Sequence, residues 1–242
     1  MKKTFTLFSL IALAITISAF SFFSFPGCIE GNEDVALENR VLEPFTEVEF
    51  NLPGNLTIEQ VGTDDPRTIE IETNANLMKY ITTEIKGGVL IISSEKCVTT
   101  NDKFNFSVKL NGISDLKING SGDVKSNGKI KSDKLNISIY GSGDVKFKVE
   151  ALSLNAAIKG SGDINLDGET KDLNLDIMGS GDVNASGLEA STGNVSVKGS
   201  GDCNINIIND LDVSVMGSGD VNYSGSPQVK KEIYGSGDVN QK

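Results

Sequence analysis

The tetrapeptide Gly-Ser-Gly-Asp occurs seven times in this 242-residue chain, starting at residues 120, 141, 160, 179, 199, 217 and 235. Successive copies are 21, 19, 19, 20, 18 and 18 residues apart. A tight turn recurring at so steady an interval marks one structural unit repeated along an axis. Aligned on the turn, the flanks agree. Two residues before it stand Ile118, Ile139, Ile158, Ile177, Val197, Val215 and Ile233. Four before it stand Leu116, Ile137, Ala156, Leu175, Val195, Val213 and, breaking the pattern, Lys231. Six before it come Leu135, Leu154, Leu173, Leu211 and Val229, with Gly193 as the exception. Polar residues alternate with them, which is the period of a half-buried strand. Val124, Val145, Ile164, Val183, Cys203, Val221 and Val239 follow the turn and open a second short strand.

At about 3.3 Å per extended residue, such a unit traces a loop of roughly 60–70 Å, enough for one coil of a parallel β-helix. A leucine-rich repeat of similar period needs a helical return path. The return segments here, such as Asn165-Leu166-Asp167-Gly168-Glu169-Thr170, have too few apolar positions for a packed helix. The expected fold is therefore all-β, a solenoid with coils of about 18–21 residues. Stacking places branched aliphatics above one another in internal ladders. Fourteen of the 26 glycines serve the seven turns.

Composition narrows function. Net charge is −11, and the only arginines are Arg40 and Arg67, which argues against nucleic acid as a partner. The absence of histidine removes His-based triads and His–metal sites. Of the three cysteines, Cys203 takes an inward ladder position and reads as a small buried hydrophobe. A Cys97–Cys203 disulfide is the alternative in an oxidising compartment.

The N-terminus has a short basic start and an apolar run from about Phe5 to Phe25 that ends Phe25-Pro26-Gly27-Cys28. Residues 1–27 read as a secretory signal. A cysteine directly after Gly27 makes it similar to a bacterial lipoprotein signal, in which Cys28 would carry the lipid and tie the chain to a membrane. An ordinary cleaved signal and a retained anchor are the other two readings. All three place the remainder outside the cytoplasm, and the lipoprotein reading points to the outer membrane. Residues 28–40, polar and acidic at their start, read as a tether.

Residues 41–112 also alternate, as in Phe45-Thr46-Glu47-Val48-Glu49-Phe50 and Thr68-Ile69-Glu70-Ile71-Glu72. They read as irregular coils capping the repeats of 113–242, with a separate small β-domain as the alternative. At the far end only Val239–Lys242 follow the last turn, and no cap is expected there. Lys230 and Lys231 on the last strand discourage edge pairing. This coil edge is nonetheless the expected contact for a second copy or another envelope component.

Glu47-Val48-Glu49-Phe50, the run Tyr80–Ile92 and the turns that begin Ile118-Asn119-Gly120 resemble a known family, the "putative auto-transporter adhesin, head GIN domain", over about residues 41–242. Lys109-Leu110-Asn111-Gly112 departs from the pattern of its relatives. The resemblance implies a right-handed parallel β-helix in a bacterial envelope protein, and no established activity.

Two sets of side chains could carry chemistry. Asp123, Asp144, Asp163, Asp182, Asp202, Asp220 and Asp238 form a carboxylate row. Stacked neighbours about 5 Å apart repel by roughly 1 kcal/mol in water. Either each Asp accepts backbone N–H groups at its own corner, with serine hydroxyls nearby, or divalent cations such as Ca²⁺ offset the charge. Asn136, Asn155, Asn174 and Asn194 lie on the longer strand, and Asn165, Asn184, Asn204, Asn222 and Asn240 follow the turn. These rows read as solvated or mutually bonded amides, or as a polar face for glycan. A polysaccharide-acting β-helix enzyme would need convergent carboxylates or a basic residue on long loops. Here the acids repeat instead of converging, so no catalytic residue and no metal ligand is nominated. The sequence points to a non-catalytic interaction module of the cell envelope.

Overall fold

The computed structural model describes residues 27–100 and 104–242. From Gly122 onward the chain winds as stacked parallel coils, one per repeat. The strands Gly122–Gly141, Val145–Gly160, Ile164–Gly179, Val183–Gly199 and Cys203–Gly217 each lie directly on the next. The solenoid makes about seven turns. Val124, Val145, Ile164, Val183, Cys203, Val221 and Val239 stand over one another in unbroken register, and all seven are buried. Sequence period and coil are thus the same object. The β-branched side chains fill the interior because each pleated rung repeats the position of the last.

Gly193 interrupts one inward column, between Leu173 and Leu211. The gap is filled: a Cβ at Gly193 would lie 2.7 Å from the Ile207 side chain, which occupies that space. Ile207 belongs to the return path and is fully buried. The coil exchanges one aliphatic side chain for another from its opposite wall.

At the turns, the glycines are demanded by backbone contact between coils. Gly160 adopts φ +149° and a Cβ there would meet the Gly141 carbonyl oxygen at 2.0 Å. Gly162 stacks on Gly143 with the same 2.0 Å approach. A side chain at either place would separate the rungs.

Ahead of the repeats, Glu47–Phe50 and Gly54–Gln60 stack on Asp115–Gly120 and Gly122–Gly141. Val89–Ser94 and Asn105–Leu110 continue the stack one rung further out. Antiparallel strands then close this end: Ile81–Lys86 against Val89–Ser94, and Thr68–Asn74 between Asn105–Leu110 and Val35–Val41. Phe50, Phe104 and Phe106 pack edge to face in the widened core. One hydrophobic cluster runs from Phe45 to Val239.

Residues 28–40 are not a free tether. Ile29–Glu30 pairs in parallel with Val98–Thr99, and Val35–Val41 is a full strand. Between them an amide clasp forms. Asn76 accepts the Asn32 N–H at 2.9 Å and donates to the Glu30 carbonyl at 2.8 Å, while Asn74 donates to the Asn32 carbonyl. The polar composition that suggested solvated linker instead satisfies backbone groups of the cap.

Both ends of the aliphatic column are crossed by a cation. Arg40 lies opposite the buried Ile69, on the core side of its strand. It donates to the Ile81 carbonyl at 3.1 Å and to Thr83 Oγ1 at 3.0 Å, and pairs with Glu38 at 2.7 Å. At the other end Lys231 stands over Val213, in the inward register, and its Nζ donates to the Val239 carbonyl at 3.3 Å. The break in the sequence pattern at Lys231 thus sets a charged side chain in the inward column of an end strand whose residues are all exposed. The far end, expected to lack a cap, has this side chain laid across it.

Candidate functional site

The seven aspartates form one continuous ladder, but not through their own corners. Oδ1 of each Asp accepts the backbone N–H of the Asp one coil later: Asp123 from Asp144 at 3.0 Å, Asp144 from Asp163 at 2.9 Å and Asp163 from Asp182 at 2.8 Å. The series continues from Asp182 to Asp202 at 2.7 Å, then to Asp220 and Asp238, both at 2.8 Å. The Asp carbonyl faces the other way and accepts the N–H of the aliphatic residue in the preceding coil, as from Val145 to Asp163 at 2.8 Å. Serine contributes by its backbone, as when Ser161 N–H meets the Gly141 carbonyl at 2.9 Å. The corner geometry expected from sequence is replaced by a rung-to-rung bond. The reason is that a turn with glycine on both sides of the serine brings successive Asp peptides within reach. Among the described residues no three acidic or thiol side chains converge on a point that could hold a metal ion.

The second set lies on a flat lateral face. Asn155 donates from Nδ2 to Asn136 Oδ1 at 2.8 Å, and Asn174 donates likewise to Asn155 at 2.9 Å. Asn194 continues the column in register, followed by Asp212 and Lys230, which pair at 3.3 Å. Beside it runs a column of shorter side chains, Ser138, Ala157, Asp176 and Ser196. The two columns border a shallow strip that follows the solenoid axis. Asp176 sits in the short column, and its Oδ1 is buried without a hydrogen-bond donor.

The post-turn asparagines are stacked too, with Asn165, Asn184, Asn204, Asn222 and Asn240 in register. Two of these amides have side-chain partners: Asn184 accepts from the Ser186 hydroxyl at 2.8 Å and Asn204 from Lys242 Nζ at 2.6 Å. Tyr140, 40% exposed, has two ammonium groups against its ring. Lys159 and Lys117 lie 5.1 and 5.6 Å from its ring centroid.

Cys28 forms a disulfide with Cys97, 69 residues away. A sulfur in this disulfide cannot at the same time carry a thioether-linked lipid, so the pairing and lipid attachment at Cys28 exclude one another. The Cys97–Cys203 pairing is corrected. The pairing of Ile29–Glu30 with Val98–Thr99 sets the two cysteines side by side, with Cα atoms 4.5 Å apart. The signal segment, residues 1–27, lies outside the described residues except for Gly27. Cys203 is free and buried, as its ladder position implied. Burial pushes its thiol up to about 12, with further help from the Asp202 and Asp182 carboxylates.

Sequence reasoning passed over Asp176 and the Cys28–Cys97 pair. Asp176 was visible as the one acid in a row of Ser and Ala. The cysteine pair had no local signal, because its partners meet only after two coils have formed.

A family model described as "putative auto-transporter adhesin, head GIN domain" matches residues 44–227. Among solved structures, a "putative adhesin" from Bacteroides fragilis superposes with TM-score 0.84 at 24% identity, covering 88% of this chain and 100% of that one. A "putative adhesin" from Parabacteroides distasonis gives TM-score 0.73 at 24% identity over 89% of this chain and 100% of its own. A protein from the same organism named "putative lipid binding protein" gives 0.75 at 22% identity, again over 89% and 100%. At these identities the likeness speaks for the fold. No curated protein matches the chain.

Proposed function

The chain belongs to the head GIN domain family, and from that premise we propose that it is an adhesin-like, non-catalytic interaction module displayed at the bacterial surface or within the envelope. One observation carries this reading. The side chains that could do chemistry are distributed one per rung and spent on neighbouring rungs, as in the bond from each Asp carboxylate to the next Asp N–H. Catalysis needs unlike groups gathered around one reacting atom, whereas a ladder offers the same group repeatedly along a line. Repeat solenoids use such surfaces for binding.

Family membership and the envelope proteins it groups support a place outside the cytoplasm. The apolar segment at 5–25 supports export, as a lipoprotein signal, as an ordinary cleaved signal or as a retained anchor. A disulfide between Cys28 and Cys97 fits an oxidising compartment.

The test is protease accessibility and crosslinking on intact cells, followed by purification of the tagged full chain. Recovery of an envelope partner or surface glycan with the tagged chain supports the proposal. A cytoplasmic location, or turnover of an envelope polysaccharide by the purified chain, overturns it.

A further inference from the structure

We propose that the lateral strip between the Asn136–Asn194 column and the Ser138–Ser196 column binds a linear neutral glycan, with Asp176 as its central hydrogen-bond acceptor. This deepens the interaction-module reading and rests on it.

The strip has the shape of an extended polymer. It is bordered by residues of five successive rungs, from Asp115 through Asn136, Asn155 and Asn174 to Asn194. At about 4.8 Å per rung it runs roughly 19 Å along the axis, and its two borders, two residues apart on each strand, are about 6.6 Å from one another. Its border on the short-column side stays low because Ala157 stands there between Ser138 and Asp176. The rung spacing is close to the length of one pyranose unit in an extended chain.

Its chemistry is that of a hydroxyl-rich ligand. Asn155 gives one N–H to Asn136 and accepts one from Asn174. An amide has two N–H groups and two oxygen lone pairs, so Asn155 keeps one donor and one acceptor to offer outward. Asp176 is the irregularity in this array. Its neighbours along the column, Ala157 and Ser196, make no hydrogen bond to it, and its Oδ1 is covered and orphaned. A buried carboxylate oxygen without a donor is costly and calls for an explanation. Asp176 itself lines the strip, and its soft terminal torsion exchanges the two equivalent carboxylate oxygens between the covered position and the strip, where a ligand O–H can donate.

Charge and aromatics define the class further. Asp115 and Asp176 line the strip, and Asp212 continues it, on a chain of net charge −11. That potential rejects polyanions. None of the residues lining the strip is aromatic, so affinity must accumulate from hydrogen bonds along its length.

The experiment is calorimetric titration of the disulfide-intact chain with cello-, xylo- and manno-oligosaccharides of two to six units. Affinity for at least one series is expected to rise with length up to about four units and then level, as a strip of about 19 Å requires. Asp176→Ala should weaken binding at least tenfold, and Ala157→Arg, which puts a long side chain on the low border to overhang the strip, should abolish it at unchanged melting temperature. Should Ala157→Arg unfold, Asn155→Ala takes its place, with a loss of at least fivefold expected. Asn240→Ala, on the other asparagine row, should bind as wild type. No binding of any series at millimolar ligand overturns the proposal, as does wild-type affinity in Asp176→Ala. If intact-cell capture of a partner survives in the strip variants, the glycan strip is wrong while the interaction module stands.

Discussion

Asp144 donates its backbone N–H to Oδ1 of Asp123 at 3.0 Å, across 21 residues of chain. The contact recurs five more times, up to Asp220 and Asp238. It explains how like charges tolerate stacking. A hydrogen bond to a charged group contributes about 1.5–3 kcal/mol, while neighbouring carboxylates about 4–5 Å apart repel by roughly 1 kcal/mol in water. The bond wins at each rung, without a bound cation being needed to balance the column.

The first prediction follows from the direction of that bond. Asp163→Ala should lower stability by about 1–2 kcal/mol, because the Asp182 N–H loses its acceptor. Asp163→Asn keeps an oxygen in place and removes charge, so it should be neutral or slightly stabilising. Asp238→Ala, whose carboxylate accepts no backbone N–H among the described residues, should cost little. Urea unfolding of the three variants checks this, and equal losses at Asp163→Ala and Asp238→Ala would remove the ladder from the account.

Gly160→Ala should be far more damaging than its size suggests. The residue combines φ +149° with the Gly141 carbonyl oxygen 2.0 Å from a Cβ. Strained backbone alone costs about 1–3 kcal/mol, and parting two rungs adds to it. A loss above about 3 kcal/mol is expected, read from denaturant midpoints.

Removing the staple should loosen the cap. Closing a loop of about 70 residues contributes roughly 4 kcal/mol in the chain-entropy view, so Cys97→Ser should lower stability by about 2–4 kcal/mol. Non-reducing peptide mapping should recover Cys28 joined to Cys97, and a fatty-acid label should not enter at Cys28. Acylated Cys28 in the exported chain would refute the staple.

Cys203 carries an alkaline liability. Its thiol is raised to about 12 in the folded chain from a reference of 9.0. The raised value means that this contribution is complete below about pH 9 and is lost as pH climbs towards 12. By pH 10.5 the loss should be about 2 kcal/mol. Cys203→Val, which matches Val183 and Val221 in the column, should abolish this slope and change neutral-pH stability by less than about 1.5 kcal/mol. Paired pH series of urea midpoints decide it.

Lys231 should govern self-association. With Val229 and Ile233 each 37% exposed beside it, the end of the column is apolar apart from this one ammonium. Inward charges of this kind block edge pairing. Lys231→Val is expected to raise the mass seen by light scattering in a concentration-dependent way. A variant no more associated than wild type would count against this role of Lys231.

The seven-fold turn and its aliphatic flanks determined the coil, its register and the stacking of Val145, Ile164 and Val183, because a period repeated in sequence can stack only one way without exposing its apolar rows. The buried place of Cys203 came from the same source. What tertiary structure alone decided involves residues far apart in the chain or lying in the irregular coils. The sequence could not say that each Asp reaches the next coil instead of its own corner, since that depends on how closely glycine lets the rungs approach. Nor could it say that Cys28 meets Cys97, that Arg40 and Lys231 cross the ends, or that Ile207 fills the space at Gly193. Local propensity sees spacing along the chain, and these contacts are set by spacing between coils.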